Sequence, residues 1–194
     1  GIYIRTPDRQ NILIDGGSST QKKIGTYILT NGLKYYGSGT LGYMIITHSD
    51  SDHYSGALEI LEGSEIAVEN LVLPAINNPD DAYRKLEKTA KDKGCRIYYI
   101  GKGDKIVTGD VSFICLNPMN LRYEDKNQGS IVLWMNYKNY DMMLTGDIDS
   151  YVEKELINDK GLGRSTKSII AKAYSSHRRC SGIDIVIICQ DVVR

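Results

Sequence analysis

Neither sign of charge is in excess in this 194-residue chain: 24 lysines and arginines balance 24 aspartates and glutamates. That balance excludes the global positive field that advertises nucleic-acid binding. A phosphate-bearing substrate would have to be held by local charge and by metal. Close cysteine pairs are also missing. Cys95, Cys115, Cys180 and Cys189 stand far apart, which excludes a zinc ribbon and a vicinal redox pair and leaves them as small buried hydrophobes. No long apolar run exists either. The stretch from Tyr35 to Ser49 is uncharged but rich in Gly, Ser, Thr and Tyr, too short and too polar to cross a bilayer. No charged-then-apolar leader opens the sequence, so the expectation is a soluble piece cut from something larger. Repeats, linkers and low-complexity segments are absent, and with 41% hydrophobic and 25% charged residues the whole of 1–194 reads as one globular domain.

Histidine is scarcest of the groups that carry chemistry, at three residues, and its distribution is uneven. His48 and His53 share the stretch Thr47-His48-Ser49-Asp50-Ser51-Asp52-His53, and His177 stands more than a hundred residues away. The stretch follows Tyr43-Met44-Ile45-Ile46, a buried-strand pattern, so His48, Asp50, Asp52 and His53 suit a metal site built on a strand end. His48, Asp50 and Asp52 share a strand parity, whereas the adjacent Asp52 and His53 cannot both face one side of a strand. The backbone must therefore turn near Ser51 and Asp52, and a turn folds several ligands around one point. A capped, solvated turn is the plainer alternative, which the clustering disfavours.

Around this stretch the pattern is mixed. Ile2 to Arg5 and Asn11 to Asp15 read as a hairpin closed by Thr6-Pro7-Asp8-Arg9, and Asp15-Gly16-Gly17 breaks the second strand. A weak helix is expected over Lys22 to Lys34 and another from Tyr54 to Leu61. Asn78-Pro79-Asp80-Asp81 opens a third that ends near Gly94. Its basic residues alternate with Glu87 and Asp92, as on a solvated face. Strands are expected at Asn70 to Leu73, Arg96 to Ile100, Val111 to Leu116, Ser130 to Tyr137 and Asp141 to Leu144. After a helix through Glu153 and Leu156, two more follow at 168–174 and 183–189. Strands outnumber helices and the helices follow groups of strands, which favours a mixed two-sheet sandwich over a doubly wound parallel sheet.

Thr145-Gly146-Asp147 repeats the logic of the first motif: an apolar strand, a small residue, then an acid whose two oxygens can bridge two metals. Taken together, Ile14-Asp15-Gly16-Gly17-Ser18, the His48 to His53 stretch with Gly56, Asn127 to Ser130, and Leu144-Thr145-Gly146-Asp147 with Glu153 resemble the metallo-β-lactamase superfamily. Within it they are most similar to the C-terminal hydrolase domains of ComEC-type DNA-uptake proteins. Asp50, where the generic motif has histidine, is similar to that branch. The resemblance implies an α+β fold, a four-layer αββα sandwich, incomplete at both chain ends. It implies a pair of divalent metal ions, with His48 and Asp50 on one, Asp52 and His53 on the other, and Asp147 bridging. Zn²⁺ and Mn²⁺ both suit so oxygen-rich a set. It further implies hydrolysis of DNA phosphodiesters, single-stranded DNA as partner, Asp52 as the catalytic residue, and a parent protein in the bacterial cell membrane.

The chain departs from the family pattern between Tyr54 and Ser176, where no histidine occurs, and at Ser175-Ser176-His177, where the family has a histidine pair. His177 is thus either a displaced ligand or a solvated side chain beside Arg178 and Arg179. Two rival functions follow: a catalytically degraded binding module that keeps the fold, and a hydrolase of small esters or lactams.

Overall fold

The computed structural model describes residues 1–163. The strands expected at 168–174 and 183–189, together with His177, Arg178 and Arg179, lie outside the described residues. Strands β1 (Ile2–Arg5) and β2 (Asn11–Ile14) form the expected hairpin, antiparallel with Ile2 opposite Ile14. Beside β2 lie β3 (Thr40–Ile45), β4 (Ala67–Pro74) and β5 (Arg96–Ile100), all parallel, in the order β1-β2-β3-β4-β5. A second, antiparallel sheet runs in order through β6 (Lys105–Thr108), β7 (Val111–Asn117), β8 (Val132–Tyr137) and β9 (Tyr140–Leu144).

Helices connect the parallel strands. A π-helical turn at Gly25–Leu29 runs into α1 (Thr30–Tyr35) between β2 and β3, α2 (Ser51–Gly63) joins β3 to β4, and α3 (Asp81–Asp92) joins β4 to β5. Helices therefore interleave with strands in the first sheet, contrary to the expectation that they follow groups of strands. Runs such as Met44-Ile45-Ile46 and Leu71-Val72-Leu73 are apolar throughout because both faces of that sheet are covered, as crossover helices require. The second sheet is followed by α4 (Ser150–Asn158).

Strand alternation sorts the apolar residues into three cores between four layers. Leu13, Met44, Leu71 and Leu73 face the first three helices, meeting Leu33, Ala57, Leu61 and Leu86. Ile12, Ile14, Ile45 and Val72 point the other way, onto Phe113, Cys115, Leu133 and Met135 of the second sheet. Val132 and Leu116 on its far face pack with Val152 and Leu156 of α4. This is the αββα sandwich, and the middle core presses the two sheets together along the edge where the chemistry collects. No helix among the described residues is long and apolar enough to cross a membrane.

Two helix starts differ from expectation in ways that matter for the site. The cap of α3 is Asp80, whose Oδ1 accepts from the Ala82 and Tyr83 amides at 3.1 Å each, so Pro79 precedes the cap instead of following it. Helix α2 begins at Ser51, three residues before the apolar periodicity that signals it, so Asp52 and His53 lie in its first turn and not in a loop. Its cap residue Asp50 is extended and spends no side-chain hydrogen bond on the helix; its carboxylate turns to His48 and Lys126 instead.

Candidate metal centre

The site is assembled from the end of β2, the end of β3, the first turn of α2 and the loop after β9. Asp15 follows β2 with a left-handed φ of 55°, a conformation that costs an aspartate little because its short polar side chain can bond locally. Its Oδ1 accepts from the Thr47 amide at 2.8 Å, and its Oδ2 accepts from Thr47 Oγ1 at 2.7 Å and from His53 Nδ1 at 2.9 Å. Glycine is required just beyond: a Cβ on Gly17 would lie 2.4 Å from the Ser51 carbonyl oxygen, so only a bare backbone can run this close to the start of α2.

These contacts fix both imidazole rings. The single Thr47 hydroxyl hydrogen goes to Asp15, which as a carboxylate can only accept. The 3.1 Å contact between Thr47 Oγ1 and His48 Nδ1 then has the ring as donor. The lone pair of His48 is therefore on Nε2, an atom that is buried and makes no hydrogen bond within the described residues. Burial, and then the charge of His53 nearby, push the His48 pKa down, which keeps the ring neutral. A neutral, buried imidazole with an aimed and unused lone pair is the usual form of a metal-binding histidine.

His53 has the opposite character. Burial opposes its charge, but hydrogen bonds to Asp147 and Asp15 outweigh burial and raise its pKa to about 10. Its Nε2 lies 3.3 Å from Asp147 Oδ2 and 3.9 Å from Asp52 Oδ2, and its ring centroid is 4.0 Å from that of His48. His48 Nε2 is 3.6 Å from Asp50 Oδ2. Two ligands bound about 2.1 Å from one tetrahedral metal ion lie roughly 3.4 Å apart, so the His53–Asp147 and His48–Asp50 separations suit a shared cation. Donor atoms of His48, His53 and Asp147 all fall within 4.8 Å of one another. Asp50 and Asp52 stand at the open side, with side chains 44% and 53% exposed. Of the five residues singled out in the sequence, His48, His53 and Asp147 come together as a group able to hold a divalent metal, and Asp50 and Asp52 stand beside them, 3.6 Å from His48 and 3.9 Å from His53.

Asp147 arrives from the second sheet. Gly146, at a left-handed φ of 53°, brings the backbone so near that an added Cβ would sit 3.2 Å from both Thr47 Cβ and Ser130 Cβ. The Ile131 amide donates to the Thr47 carbonyl at 2.9 Å, which closes the seam between the sheets. Asn117 holds the 118–130 loop beside it, donating from Nδ2 to the carbonyls of Gln128 and Ser130.

Three residues here carried no assigned role in the sequence reading. Asp15 orients His53 from 38 positions away. Asp80 accepts from Ser49 Oγ at 2.7 Å, and Lys126 Nζ lies 2.9 Å from Asp80 Oδ2 and 3.6 Å from Asp50 Oδ1. The Asp15-Gly16-Gly17 break is the signal for the first; Asp80 is marked only as part of a helix start, and no local pattern marks Lys126.

The profile of the Metallo-beta-lactamase superfamily matches residues 2–189. ComE operon protein 3 of Bacillus subtilis (strain 168) is 31% identical over 172 residues, which cover 81% of this chain and 22% of that protein. The solved structure of CmlA, a diiron beta-hydroxylase from Streptomyces venezuelae, superposes with a TM-score of 0.50 over 82% of this chain and 30% of its own, at 12% identity, a likeness of fold alone. The profile spans both sheets and every residue gathered above, and the chain belongs to the metallo-β-lactamase superfamily.

Proposed function

We propose that this chain is a metal-dependent phosphodiesterase that cleaves single-stranded DNA. The observation that carries the metal half of the reading is the pair of fixed imidazoles, His48 with its buried lone pair and His53 held by Asp15, converging with Asp147. Similarity to ComE operon protein 3 and the ComEC-type motifs support DNA as substrate. In that context the domain belongs to a larger, membrane-embedded DNA-uptake protein, of which it would be the hydrolytic part.

His48 and Asp50 would hold one divalent ion, His53 and Asp52 a second, and Asp147 would serve both. Zn²⁺ or Mn²⁺ there supplies Lewis acidity toward a phosphoryl oxygen and makes water nucleophilic near neutral pH. Asp15 keeps the His53 ring at one angle, and the Nε2 proton that His53 shares with Asp147 would give way to a metal ion. Asp52, in the first turn of α2 and half exposed, would hold the attacking water by hydrogen bond and accept its proton as the new P–O bond forms, while the ester P–O bond breaks and the leaving sugar oxygen takes a proton from solvent. The seam between Thr47 and Ile131 keeps Asp147 against the two histidines.

A substrate panel tests the reading. Wild type and Asp147→Ala, each with Mn²⁺ or Zn²⁺, are offered single-stranded DNA, an aryl ester and a β-lactam. Cleavage of DNA alone by wild type, with at least a hundredfold loss in the variant, is expected. Ester or lactam turnover without DNA cleavage would replace phosphodiesterase by the small-substrate hydrolase, and a chain that retains no metal would make it a binding module.

A further inference from the structure

Among the described residues Lys126 is the one lysine or arginine that forms ion pairs with the carboxylates of the candidate site, at 2.9 Å from Asp80 Oδ2 and 3.6 Å from Asp50 Oδ1, and its side chain is half exposed. The other positive group there, His53, is turned to Asp15 and Asp147. The Ala82 and Tyr83 amides and the Ser49 hydroxyl also anchor Asp80, so the carboxylate that steers Lys126 is itself fixed in place. The contact of Lys126 with Asp50 is longer than a good hydrogen bond, and an ammonium carries three donors. Asp50 presents Oδ2 to His48 and Oδ1 to Lys126, so the ammonium stands one carboxylate away from the metal-binding atoms, on the open side.

A positive charge next to a metal-binding carboxylate weakens cation binding by repulsion, so its position needs another reason. An anionic substrate supplies one. Lysine binds phosphate as a point charge, whereas a neutral ester offers it nothing comparable. We propose that Lys126, steered by Asp80, binds a non-bridging oxygen of the substrate's phosphodiester backbone and so selects an anionic substrate at this site. The inference rests on the phosphodiesterase reading, and it makes Asp80 a positioning residue.

The test is fluorescence anisotropy of a labelled, hydrolysis-resistant phosphorothioate single strand with the Mn²⁺-loaded chain, for wild type, Lys126→Met and Lys126→Arg over a salt series. Lys126→Met is expected to weaken binding about tenfold at low salt and to flatten log Kd against log salt by about 0.7, the share of one phosphate contact on a single strand. Lys126→Arg keeps the slope. Mn²⁺ affinity, titrated separately, stays equal or tightens in Lys126→Met. An unchanged slope in Lys126→Met, or a loss of Mn²⁺ affinity that parallels the loss of DNA, would overturn the proposal. Binding that depends on Lys126 in a wild type unable to cleave DNA would keep the inference and remove the phosphodiesterase. Cleavage and binding both indifferent to Lys126 would do the reverse, and a wild type that binds no DNA would end both.

Discussion

Asp15 governs both histidines, one directly and one through Thr47. Its Oδ2 takes the His53 Nδ1 hydrogen and the Thr47 hydroxyl hydrogen, and the second of these leaves Thr47 able only to accept from His48. One carboxylate thus sets the tautomer of His48 and the orientation of His53. Asp15→Asn isolates that role, because asparagine tolerates the left-handed backbone and is nearly the same size, yet replaces an acceptor oxygen by a donor. The expected outcome is a loss of Zn²⁺ or Mn²⁺ affinity of about 10- to 100-fold with near-native thermal stability, read by metal titration. Unaltered affinity would mean that the rings are held by packing alone.

Among the elements, α4 shows how a helix end sets a ligand loop. Asp149 caps it, Oδ1 accepting from the Tyr151 and Val152 amides at 3.0 Å, while Oδ2 accepts from Gln128 Nε2 at 2.8 Å. The cap joins the helix after Asp147 to the loop that carries Lys126. Partial burial would raise the Asp149 pKa, but the Val152 amide, Gln128 and the Tyr151 amide more than offset it and hold the carboxyl below its ordinary value. A lowered folded pKa means that the stabilisation is complete above the unfolded carboxylate value and is lost as pH falls through the folded one. Asp149→Ala should therefore cost about 1 kcal/mol in urea unfolding at neutral pH, and the gap to wild type should close in acid. A gap independent of pH would assign the effect to something other than the charged cap. Elements with strong periodicity, such as Ile2 to Arg5 or Val111 to Leu116, were legible in the sequence because a half-buried strand must alternate. The start of α2 was not, since Ser51, Asp52 and His53 are polar for the sake of the site and erase the apolar period there. Strand β6 has only Ile106 and Thr108 buried over four residues, too brief a pattern to register.

Across the whole molecule, the candidate site exists because two sheets meet. Four of its five proposed ligands come from one sequence window, and that window was readable because scarce histidines cluster with aspartates. The fifth, Asp147, and the supporting Asp15, Asp80 and Lys126 join it through the parallel pairing of β3 with β2 and β4 and the packing of the second sheet onto the first. Such long-range contacts leave no local signature. The fold thus positions seven carboxylate and imidazole groups, Asp15 and Asp80 among them, and one ammonium around a single opening, with Asp52 proposed to join metal binding to activation of water. The most direct measurement is cleavage of single-stranded DNA by wild type and Asp52→Ala under chelator and under added Mn²⁺. Wild type should cleave with Mn²⁺, stop with chelator and recover on metal return, while Asp52→Ala loses at least about a hundredfold in rate. Cleavage that survives in Asp52→Ala, or that ignores the chelator, would contradict a metal-dependent phosphodiesterase built on these residues.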